Sequence, residues 1–300
     1  MEDLYKKIVN EKYIGDERNP INQKEIFELA SNYSKEIKVK HTNNGIALII
    51  VDAQRDFIDT KKGVLPIKGA VKDIERITRF IFEKLEYISA IYTTFDTHEY
   101  NFIFHPFLWR KRNGDEIEPF TEITLDKIIK NEIVPLNKKE QIEYLEKLDS
   151  LGKQNIIIWP YHCIYATDGW LLDKQLNNML LFYERAKENR INKIMKGKEQ
   201  FSDMYGAVAP EVITNETRFC DMAWVYGLKN YNEIYICGES KDFGVYETVR
   251  QLCEMYSNDK NTIKKINVMM NCCSAIFDND EANKKFEKLS SKYGIKLIEI

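Results

Sequence analysis

Only four histidines occur in the chain, and three of them stand in short motifs beside aromatic or acidic residues: His98 in FDTHEY, His105 in FIFHPF and His162 in WPYHC. Asp96 and His98 are two positions apart, and in an extended strand residues i and i+2 point to the same face. This carboxylate and this imidazole can therefore converge on one ion. Three imidazoles and one carboxylate suit a borderline divalent metal, zinc best, with manganese and iron as alternatives, and leave positions open for water or a ligand. Taken one at a time, each histidine reads more readily as a hydrogen-bonded loop or core residue, and His41, in a polar stretch, is left as that. Asp52 follows an apolar run in IALIIVDAQRDF. A carboxylate there costs free energy unless it is paired or used, although an Asp capping the next turn is the common alternative.

The elements that must position these residues are short apolar runs separated by longer helical stretches. Residues 46–51, 88–94, 155–158, 233–237, 266–270 and 295–300 are the runs, apolar as strands buried on both faces must be. Between the first two, Val71, Ile74, Ile77, Phe80, Ile81 and Leu85 recur at helical spacing. A second helix is expected after Asp242, with Val245, Val249, Leu252 and Tyr256 inward, and a third between Asn215 and Gly227. The alternation predicts a three-layer αβα fold, doubly wound on a mainly parallel sheet, with its ligand crevice beyond the carboxyl ends of the strands. Residues 1–44 read as an N-terminal extension to a domain over 45–300, which carries an insertion at about 106–154.

Composition excludes several function classes. With 44 Lys+Arg against 47 Asp+Glu the net charge is −3, so no broad basic field exists for nucleic acid or an anionic membrane surface. No apolar segment is long enough to span a bilayer or to act as a signal peptide, so a cytoplasmic location and a small-molecule partner are expected. The six cysteines lack the spacing of a disulfide scaffold or a CxxC zinc ribbon. They read as free, mostly buried thiols.

Five segments resemble, in order, those of the nicotinamidase and isochorismatase superfamily of cysteine hydrolases: VDAQRDF, FDTH, WPYHC, IMKGKE and GESKDFGVYET. The resemblance implies hydrolysis of a small amide such as nicotinamide, with Asp52 as general base and Lys196 as the cation beside it. It makes Asp96, His98, His105 and His162 ligands of one divalent metal, and Phe57 and Trp159 the walls of a flat-ring pocket. Without it, Lys196 would read as a surface lysine in a solvated charge cluster. It further implies an oxyanion hole from the peptide N–H groups between Ser240 and Gly244, next to a cis peptide near Glu239 and Ser240, and an oligomeric assembly of identical chains.

The alignment that matches Gly238, Asp242, Val245 and Thr248 to the family leaves Gly244 at the position of the nucleophilic cysteine. A thiolate attack cannot run without that thiol. Three readings follow: an inactive ligand-binding pseudoenzyme; a hydrolase in which metal-activated water replaces the thiol, with Asp52 as base; and an isochorismatase-like hydrolase that needs no thiol, a branch that lacks the metal set present here. His105 and His162 are 57 positions apart, much further than in the family. The insertion between them is expected to form a lid, wall or oligomer contact, and its Arg110, Lys111 and Arg112 could meet an anionic group on a larger substrate.

Overall fold

A computed structural model of the chain describes residues 1–37, 44–213 and 222–300. His41 and Cys220 lie outside the described residues, as does most of the helix expected between Asn215 and Gly227, of which Ala223–Gly227 is seen. Six parallel strands form the central sheet: β1 (Ile46–Val51), β2 (Ile88–Asp96), β3 (Asn192–Lys196), β4 (Glu233–Gly238), β5 (Ile266–Met269) and β6 (Lys296–Ile298). Their spatial order is β6-β5-β4-β1-β2-β3.

Every residue of β1 is buried, because helices cover both faces of the sheet. Ile46, Leu48 and Ile50 join a core with residues of helices Ala70–Glu83 and Lys174–Lys187. Ala47, Ile49 and Val51 join a second core with residues of helices Tyr246–Met255 and Asn279–Tyr293. Ile74, Ile77 and Ile81 are fully buried on the first of these helices, at the expected spacing, and each contributes about 1.5–3 kcal/mol by leaving water. Val245, Val249, Leu252 and Tyr256 are likewise buried. The expected αβα architecture is thus observed.

Two assignments need correction. The run 155–158 does not enter the central sheet: Ile156–Ile157 pairs antiparallel with Glu122–Ile123 of the insertion. Strand β3 escaped the apolar-run criterion because it is a sheet edge; Lys193 and Met195 are exposed, and only Lys196 is buried. The N-terminal segment is built into the main core, with Tyr5, Ile8, Ile26 and Ala30 buried there. The Tyr5 hydroxyl lies 2.9 Å from Thr78 Oγ1, and the Gly15 N–H donates to Asp173 Oδ2 at 2.8 Å.

The insertion forms one small antiparallel strand pair of its own, a second with Ile156–Ile157, and the helices Leu125–Ile129 and Lys138–Ser150. The second helix turns Tyr144, Leu145 and Leu148 into the core.

Candidate active site

Sheet register places the chemistry. Asp52 follows β1, Asp96 ends β2, Lys196 ends β3, and Asp96 pairs with Lys196 across the last two strands. All three side chains therefore meet beyond the carboxyl ends of adjacent strands. Lys196 Nζ lies 2.8 Å from Asp52 Oδ2 and also contacts Asp96 Oδ1. The lysine and Asp52 are each about 1% exposed. A charge so deeply buried persists only when paired, so Lys196 is a constituent of the site and not the surface residue its neighbours suggest.

Asp52 adopts a left-handed φ of 44°, unusual for a non-glycine residue. Its N–H donates to Thr94 Oγ1 at 3.0 Å, and the Thr94 hydroxyl donates to Asp52 Oδ1 at 2.6 Å. Burial, with the charge of Asp96 adding, pushes the Asp52 carboxyl up to about 6 against the pull of Lys196. Burial acts on Asp96 in the same sense, but Lys196 and His98 outweigh it and hold Asp96 below the ordinary carboxylate range. On Lys196 burial is outweighed by the two carboxylates, and the ammonium is held more firmly than usual.

The three histidines assemble, with one ring nitrogen from each lying within 4.8 Å of the others. Each Nδ1 faces a backbone carbonyl: His98 that of His162 at 3.2 Å, His105 that of Glu99 at 2.9 Å, and His162 that of Pro160 at 2.8 Å. Such contacts fix ring orientation and leave Nε2 for a metal. His105 Nε2 is buried and has no partner, an orphan that a cation would satisfy. Burial, together with the neighbouring histidines, pushes His105 down to about 2, and burial with His98 pushes His162 down to about 3. Neutral imidazole is the ligating form. Asp96 Oδ1 stands 3.4 Å from His98 Nε2, at the edge of this group. Gly197 makes the approach possible: its φ is 66°, and a Cβ there would sit 2.9 Å from His98 Nε2.

Phe57 and Trp159 both line the cavity with Asp52, Asp96, His98, His162, Lys196, Ser240 and Gly244. Phe57 meets His162 edge-on at 5.5 Å. The cavity is narrow, about 20 Å³, room for about one water. Two lining side chains, Trp159 and Phe243, pack against each other and against Phe277, which is 58% exposed.

Three of the N–H groups expected to form an oxyanion hole, those of Lys241, Phe243 and Gly244, are engaged within the protein. No cis peptide occurs among the described residues. Ser240 takes a left-handed φ of 62°, which turns its oxygens under the π-helical turn Lys241–Val245. The N–H groups of Phe243 and Val245 both go to the Ser240 carbonyl, that of Lys241 to the Ser274 carbonyl, and that of Gly244 faces Ser240 Oγ at 3.3 Å. Nor do Arg110 and Lys111 reach the pocket. Arg110 bonds the carbonyls of Phe107 and Trp109, and Lys111 pairs with Glu118 at 2.6 Å.

The sequence reading missed Asp203, Tyr205, Phe104 and Phe243, which also line the cavity. Asp203 and Tyr205 lie in an irregular segment, where no periodicity marks a buried face. Among the described residues with assigned burial, the five cysteines Cys163, Cys237, Cys253, Cys272 and Cys273 are free and buried. No described helix is long and apolar enough to cross a membrane.

A doubly wound α/β sheet thus gathers acidic, basic and imidazole groups at its carboxyl edge. No protein-family model and no curated sequence matches the chain. Solved structures do. The yeast nicotinamidase bound to the inhibitor nicotinaldehyde aligns with 20% identity and a TM-score of 0.60, over 85% of this chain and 100% of that one. An Acinetobacter baumanii nicotinamidase/pyrazinamidase aligns with 20% identity and a TM-score of 0.58, over 87% and 98%. The pyrazinamidase of Pyrococcus horikoshii in complex with zinc gives 18% identity and a TM-score of 0.50, over 85% and 99%. The fold is that of these solved nicotinamidase structures.

Proposed function

We propose that this chain is a nicotinamidase-like hydrolase of small heteroaromatic amides in which water, and not a thiol, attacks the carbonyl. One observation carries the reading: the Asp52–Lys196–Asp96 ion cluster stands beside three histidines with inward-facing ring nitrogens. The donor set fits one divalent metal, held by His98, His105 and His162 with Asp96 at its edge. When bound, that cation would supply Lewis-acid polarisation and an anchor for a ring nitrogen or carbonyl oxygen. Zinc suits the three imidazoles best, and the zinc complex of the Pyrococcus horikoshii protein supports that choice.

The remaining steps belong to the protein's own residues. Asp52 and Gly244 both line the cavity of about 20 Å³, which has room for about one water beside the carboxylate. Asp52 takes a proton from this water as its oxygen attacks the amide carbon. The tetrahedral intermediate collapses, the C–N bond breaks, and Asp52 returns the proton to the departing nitrogen. Ammonia and the carboxylic acid result. Lys196 holds Asp52 in place and balances the negative charge. Phe57 and Trp159 flank the ring. A six-membered ring needs more than the present cavity, so its entry displaces lining side chains such as Trp159 and Phe243.

The missing thiol favours a second reading, a pocket that binds amides without turning them over. Release of ammonia from an amide panel by the metal-loaded chain, and its loss in Asp52→Asn, separates the two. Cytoplasmic location, assembly into homo-oligomers, and the division into an N-terminal extension, a hydrolase domain and an insertion accompany this reading as proposals.

A further inference from the structure

Asp203 belongs to none of the sequence motifs, yet it lines the cavity and is 7% exposed. Its backbone is pinned from several sides. The N–H donates to the Tyr144 hydroxyl of the insertion helix at 3.0 Å, and the carbonyl accepts the Glu211 N–H at 2.8 Å. Lys196 Nζ reaches the next carbonyl, that of Met204, at 3.3 Å. Turning Asp203 out to solvent would break these contacts, so the insertion and the site lysine together hold a carboxylate inside the pocket.

That carboxylate has two hydrogen-bond donors beside it, the Met204 N–H and the Tyr205 hydroxyl, and no cation among the described residues, so acceptor capacity remains for a ligand. Oδ1 accepts the Met204 N–H at 2.8 Å, and no salt bridge reaches Asp203 among the described residues. Burial pushes it up to about 7, although the Tyr205 hydroxyl beside it favours the ionised form. Tyr205 in turn accepts the Trp159 indole N–H at 3.2 Å, which ties the carboxylate to the wall of the ring pocket. A plain pyridine amide places only C–H groups or an acceptor nitrogen around its ring, and an acceptor against a carboxylate leaves both unsatisfied. A ring that carries a donor would satisfy it, and sites built around such a bond reject analogues lacking the donor.

Resting on the amide-hydrolase reading above, we propose that Asp203 is a specificity residue that accepts a hydrogen bond from the ligand ring. The preferred ligand is then a heteroaromatic amide bearing a ring amino or N–H group.

The test is calorimetric binding of nicotinamide and its ring-amino isomers to the metal-loaded full chain, to Asp203→Leu and to Asp203→Asn. A hydrogen bond to a charged group discriminates strongly, so at least one amino isomer should bind the parent about tenfold or more tighter than nicotinamide. The preference should vanish in Asp203→Leu and shrink in Asp203→Asn, the second variant guarding against misfolding of the first. Equal binding of all the ligands, or a preference that survives both substitutions, overturns the inference and leaves the amide reading standing. Failure of every amide to bind the parent overturns both.

Discussion

Gly244 and Asp52 stand so close that a Cβ on the glycine would come within 3.0 Å of the carboxylate Oδ2. The contact defines what each can do. A side chain at 244 must enter the pocket past Asp52, and the two residues share the lining of a cavity with room for about one water. Gly244 is not in the left-handed region, so other residues are admissible if the carboxylate yields a few tenths of an ångström.

Gly244→Ala therefore puts into this cavity a methyl group that neither attacks nor donates. It should lower ammonia release by about a hundredfold, the scale of losing a positioned proton-transfer arrangement, while the folded CD spectrum persists. Gly244→Cys should instead give ammonia release that iodoacetamide blocks. The parent should resist this reagent at its five described thiols, whose burial raises every one of their pKa values.

Lys196→Met removes the partner of two buried carboxylates. The loss should be about 3–5 kcal/mol in urea unfolding, as for other buried ion clusters broken from one side. A change below about 1 kcal/mol would mean that Asp52 and Asp96 are compensated by something else.

The central sheet was legible because β1, β2, β4 and β5 are buried on both faces and so read as unbroken apolar runs. Edge strand β3 carries Lys193 and Met195 outward, and its sequence looks like a charged loop. Only the resemblance of IMKGKE to a known segment pointed to Lys196. The histidines and Asp96 were found from their types and spacing, and Asp52 from its place after β1. Asp203 escaped because nothing in FSDMYGAVAP distinguishes a carboxylate held inward by Tyr144 from one in water. The Ser240 turn escaped because a left-handed serine leaves no mark in sequence.

Activity and stability should respond to pH in opposite directions. The base works ionised, so kcat/KM should rise as pH increases through about 6 and then level, following Asp52. For stability, Asp52 and Asp203 have folded values of about 6 and about 7, above the ordinary 3.8. The native state then holds protons that the unfolded chain has released, so this contribution is full below about pH 4 and is lost as pH rises toward 7. Unfolding of the metal-free chain measured from pH 4 to 8 should show this loss, and Asp203→Asn should show less of it.

One metal per chain is expected, and chelation should lower the Tm. At a hundredfold excess over Kd, bound ligand stabilises by about 2.7 kcal/mol. His105→Ala should abolish stoichiometric binding and make the Tm insensitive to chelator, since it removes the buried Nε2 that has no other partner.

The most direct measurement is ammonia release from a panel of heteroaromatic amides by the metal-loaded parent chain, run beside Asp52→Asn and Gly244→Ala. Water-driven hydrolysis predicts release by the parent and its loss in both variants. A parent that holds its metal and binds amides, yet releases no ammonia from any of them, would contradict the account and make the pocket a binding site without chemistry.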